Sequence, residues 1–136
     1  ACMADLRAKL EEEKQALDAA GILVSWMISS SGPYVTIEPM FYWQDSLDAI
    51  HLTHLSDRNR TRFSGVPVNE PARTLVRRLR GELRDLMRQH DAQHAQLGRF
   101  YPYLPLLEPG AQALATRIKD ALDPNRLMNP GVLGLS

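Results

Sequence analysis

Apolar residues recur along this chain at spacings that change from one stretch to the next, and those changes mark its elements. Over residues 5–20, Leu6, Leu10 and Leu17 form one stripe while Glu11, Glu12 and Glu13 take other faces. That pattern predicts an amphipathic helix with Asp5 as its cap and Gly21 as its stop. Ile22-Leu23-Val24-Ser25-Trp26-Met27-Ile28 is a short apolar run and predicts a buried strand. Ser29-Ser30-Ser31-Gly32-Pro33 carries turn chemistry, and Tyr34-Val35-Thr36-Ile37-Glu38 predicts a second strand antiparallel to the first. Pro39 has no N–H for a ladder, so it ends that strand unless the strand lies at an edge.

Beyond the strands, Asp45 opens a short helical stretch to about Leu55, and residues 56–70 read as a long surface loop. Asn69 is placed to cap, and Pro71 to sit in the first turn of, the longest helix, residues 70–90. Leu75, Leu79, Leu83 and Leu86 define its buried side, broadened by Val76 and Met87; Arg77, Arg78, Arg80, Arg84 and Arg88 take the other faces. Ala92 to Leu97 has the length of one more strand. Pro102 and Pro105 make Tyr101 to Leu107 a non-helical connection, and Leu114, Ile118 and Leu122 predict a last helix over 109–122. The element order gives an α+β class, an antiparallel sheet flanked by helices, in one domain of 136 residues.

At 44% hydrophobic and 24% charged, the composition is that of an ordinary folded chain. Sixteen basic and sixteen acidic residues cancel, but unevenly along the chain. Residues 1–57 carry a net −6 and residues 58–88 a net +6, so the two segments are expected to face each other or another domain. The basic block lacks aromatic interleaving and any nucleic-acid motif, so no nucleic-acid partner is expected. A single cysteine, Cys2, excludes an intrachain disulfide and suits a reducing compartment. With no membrane-length apolar run and no signal-peptide pattern, a cytoplasmic protein without a membrane partner is the expectation.

Chemistry-bearing residues are few. No nucleophilic triad, phosphate-binding loop, glycine-rich dinucleotide fingerprint or CxxC pair is present. His51 and His54 have a metal-ligand spacing but no carboxylate or cysteine nearby completes a set, so no metal is expected. Phe41, Tyr42 and Trp43 suit core packing, a domain seam or a substrate wall. If Ala92 to Leu97 is a strand, His94 and Gln96 share a face, where they could hydrogen-bond a substrate oxygen and His94 could take a hydroxyl proton. Near the end, Asp123-Pro124 stops the last helix, and Pro130-Gly131 suits the middle of a type II turn.

The string Lys119-Asp-Ala-Leu-Asp-Pro-Asn-Arg-Leu-Met-Asn-Pro-Gly-Val-Leu-Gly-Leu135 resembles the final segment of FAD-linked oxidases of the vanillyl-alcohol oxidase and p-cresol methylhydroxylase type. Those enzymes finish with a helix, an Asp-Pro, a short hydrophobic step and an Asn-Pro-Gly. Ile37 to Ser46 and His94 to Tyr103 agree with the same family, in family order. The resemblance implies the C-terminal part of a substrate (cap) domain, a ferredoxin-like half whose sheet lies over the flavin, spanning residues 1–136 without the FAD-binding domain. It implies FAD as cofactor in the complete enzyme, a small organic alcohol, phenol or hydroxy acid as substrate, and hydride transfer to the flavin.

Carried onto this sequence, the resemblance makes His94 the catalytic base. Gln96, Tyr101 and Tyr103 become substrate contacts, and Asn129, Pro130 and Gly131 cofactor contacts. The implied partner is an FAD-binding domain in cis or in trans. Two departures narrow the substrate. Phenol-oxidising members carry a Tyr-Arg pair where Phe100-Tyr101 stands, and the metal-dependent 2-hydroxy-acid branch carries histidines that this chain lacks around Ser29 to Thr36. The alternative from another class is a non-enzymatic α+β binding or dimerisation module, in which Phe41, Tyr42, Trp43 and the arginine-rich helix form a homodimer surface.

Overall fold

In the computed structural model, the described residues run from Ala1 to Leu135, leaving out Ala95, Leu97 and Pro102; Ser136 also lies outside them. The elements are α1 (Cys2–Glu12), α2 (Lys14–Ala19), β1 (Leu23–Ser31), β2 (Tyr34–Tyr42), α3 (Ala49–Thr53), α4 (Asp57–Phe63), α5 (Glu70–Gln89) and α6 (Pro109–Leu122). Short 3-10 turns cover Leu104–Leu106 and Val132–Gly134. The class is α+β, with one two-stranded antiparallel sheet among the described residues. Along its length the chain divides into two compact units, Ala1–Leu86 and Met87–Ser136.

The core of the first unit is a helix seam. Leu6, Leu10, Leu17 and Ile22 are buried, as are Ala72, Val76, Leu79 and Leu83 of α5. The buried ridge of α5 therefore steps by four, three and four residues, the spacing of a helix packed along its length. Leu75 and Leu86, expected on that ridge, are only half-buried, because the seam runs through Ala72 and Val76 on one side of Leu79 and Leu83. Asn69 caps α5: its Oδ1 accepts the Ala72 N–H at 3.0 Å, as the sequence indicated.

Charge reinforces the seam. Arg78 of α5 donates to both carboxylate oxygens of Glu13, at 2.9 and 2.7 Å, and Lys9 reaches Glu82 at 3.0 Å. The acidic beginning of the chain thus meets the basic helix. Arg78 draws the Glu13 carboxyl down from 4.5 to about 2.

Several boundaries differ from the sequence expectation. The first helix starts at Cys2, because the Ala1 carbonyl accepts the N–H groups of Ala4 and Asp5; Asp5 lies inside the first turn rather than capping it. That helix is also interrupted at Glu13, the residue drawn to Arg78. The strands are longer than the apolar runs. Ser29 to Ser31 extend β1 and only Gly32-Pro33 turns, with Gly32 at φ 58°, the positive φ wanted at the first position of a type II′ turn. β2 continues through Pro39, which stands opposite Trp26. In a two-stranded sheet both strands are edges, so the missing N–H costs no ladder bond. Finally, the stretch read as a loop contains α4, and the helix after β2 begins at Ala49 because Asp45 is engaged elsewhere.

Two outcomes follow from this packing. Leu79→Ala, at a fully buried position, is expected to lower unfolding free energy by about 2–5 kcal/mol in denaturant titration. Glu13 has its pKa depressed on folding, so its stabilisation is present above pH 4.5 and is lost as pH falls toward about 2. Glu13→Gln should flatten the acid limb of a stability–pH profile across that window.

Candidate functional site

All seven residues singled out for chemistry, His94, Gln96, Tyr101, Tyr103, Asn129, Pro130 and Gly131, belong to the second unit. Its frame is α6 and the segment that follows. The helix ends at Asp123, whose N–H still reaches Lys119 O at 2.8 Å before Pro124 forbids another turn. The Asp123 side chain is buried and serves as the pivot of the next residues. Its two oxygens accept the N–H groups of Leu127 at 2.8 Å and Met128 at 2.9 Å, and Lys119 Nζ at 2.5 Å. Lys119 donates again, to Met128 O at 2.5 Å. With the Lys119 ammonium beside it and two N–H groups aimed at it, the Asp123 carboxyl is held below its usual pKa. A buried ion pair is stable only with such full hydrogen bonding, and here the hook of residues 124–128 supplies it.

The hook delivers the Asn129-Pro130-Gly131 turn. Asn129 has φ 46° and Gly131 φ 74°, the latter as expected for glycine after proline in a type II turn. All three residues are exposed. Among the described residues, its chain neighbours aside, no atom lies within 4 Å of where a Cβ on Gly131 would project.

After the turn the chain doubles back on the other motif of this unit. Leu133 N–H donates to Gly98 O at 3.0 Å, and a Cβ on Gly134 would lie 3.6 Å from Leu104 Cβ and 3.8 Å from Pro105 Cδ. Leu133 itself has φ 63°. A branched side chain is strained in that region, and such strain persists only where surrounding bonds hold it. The Asn129–Gly131 turn and the segment around Gly98, far apart in sequence, are therefore joined.

His94 is half-buried, and its ring centroid lies 4.8 Å from that of Tyr101 at 35° between planes. Phe100 meets Tyr101 edge-on, also at 4.8 Å. Tyr103 is half-buried and begins the 3-10 turn at Leu104–Leu106. Gln96 is exposed. The strand expected over Ala92 to Leu97 is absent from its described members; Ala95 and Leu97 lie outside the described residues. His94 and Gln96 are thus not set side by side by strand alternation. The local signal against a strand was the Asp91 turn (φ 57°) closing α5, followed by glycine and proline within a few residues.

Of Phe41, Tyr42 and Trp43, in the first unit, Trp43 serves a structural hub, while Tyr42 is exposed. Trp43 Nε1 donates to Asp45 Oδ2 at 2.9 Å. Among the described residues no group of three or more His, Cys, Asp or Glu side chains is placed to hold a metal, and no helix is long and apolar enough to cross a membrane. No protein-family model, no curated protein and no solved structure matches the chain.

Asp123→Asn removes the charge that Lys119 pairs with and one of the acceptors that hold the hook. The expected result is faster amide exchange at Leu127, Met128 and Leu133, with the buried amides of α5 between Val76 and Leu83 unchanged.

Proposed function

We propose that this chain is the C-terminal, substrate-domain portion of an FAD-dependent oxidoreductase that oxidises a small organic alcohol, phenol or hydroxy acid. The observation that carries the reading is the union of the two family-like segments. The Asp123-anchored hook brings the Asn-Pro-Gly tail back onto the His94–Tyr103 segment through Leu133 and Gly98. Sequence resemblance alone would not require these stretches to touch.

Within this reading, FAD supplies the hydride acceptor when bound. His94 accepts the substrate hydroxyl proton, with its ring orientation set by Tyr101. Tyr101 and Tyr103 present aromatic surface to the substrate, and exposed Gln96 donates to its oxygen. Asn129, Pro130 and Gly131 form an open turn that fits the edge of a flavin carried on another body. No glycine-rich strand-to-helix turn occurs among the described residues, so the pyrophosphate belongs with a separate FAD-binding domain, in cis or in trans.

One observation also favours a binding module without catalysis: α6 turns its apolar ridge outward. Leu114, Ile118 and Leu122 are exposed, while Gln112, Ala115, Thr116 and Lys119 face the protein and are half-buried. A helix oriented this way requires a partner on its outer side. A flavin domain fills that need under the first reading, and any protein partner does under the second.

The size of the native protein tests the joined form of the first reading. An antibody against this chain should detect a band several-fold above 15.3 kDa in cells that make it; a band at 15.3 kDa would mean a free-standing cap, whose partner is then a flavin domain in trans or another protein. In the complete flavoprotein, His94→Gln is expected to lower kcat by roughly a hundredfold or more while flavin content and melting temperature hold. Unchanged turnover would remove His94 from the reaction.

A further inference from the structure

We draw no further inference here: the strongest candidate, the exposed apolar ridge of Leu114, Ile118 and Leu122 along the outer face of α6, carries nothing more because nothing in the structure shows what covers it.

Discussion

Asp45 is the junction on which the first unit depends. Its carboxylate accepts Trp43 Nε1 and Arg73 Nε on one oxygen, at 2.9 and 2.6 Å, and the N–H groups of Ser46 and Asn69 on the other, at 2.8 and 3.0 Å. Four donors from two stretches of chain, residues 43–46 and 69–73, thus converge on one side chain. The Arg73 guanidinium and these N–H groups hold the Asp45 carboxyl well below the usual carboxylate range. The bond to Asn69 matters most for architecture. Asn69 caps α5 through Ala72 and also donates to Ala20 O at 3.2 Å and Gln44 O at 3.3 Å. The start of the longest helix, the end of α2 and the exit of the hairpin are therefore fixed relative to one another by polar contacts at one point.

The second unit uses the same device with a different purpose. Asp123 gathers Lys119 and two N–H groups and closes a hook on its own helix end, with local rather than long-range partners. Closing so short a loop costs little chain entropy. Strain is placed downstream, at Leu133, and a bond to Gly98 holds it. One carboxylate thus assembles a core, and the other aims an exposed turn.

What the sequence discloses follows from how local each signal is. The α5 cap at Asn69, the Gly32 turn and the stop at Asp123-Pro124 were legible because each depends on a residue's own backbone preference. The stripe of Leu6, Leu10 and Leu17 was legible from periodicity. The strand ends were not, since Ser29 to Ser31 and Pro39 join the ladder through register with a partner strand rather than by propensity. Asp45 was misplaced as a helix opener because its partners lie up to 28 residues away. The His94–Tyr101 contact was foreshadowed only by the proximity of the two residues in one motif, and the strand meant to present His94 did not form. The bond from Leu133 to Gly98 had no sequence signal, since backbone groups are identical at every residue.

The distribution of apolar surface gives the same message in both units, each taken by itself. In the first, the helices bury their leucines in one seam, while the hairpin keeps large apolar side chains in water. In the second, α6 faces its own fold with Gln112, Thr116 and Lys119 and presents Leu114, Ile118 and Leu122 outward. Gln112 and Lys119 are not idle there: they bond Leu107 O and Met128 O, so rotating the helix to hide its leucines would break the contacts that form the hook. Exposure of that ridge is thus built into the structure that positions the Asn129–Gly131 turn. The turn and the ridge are consequences of one arrangement, and a partner that covers the ridge is held close to the turn.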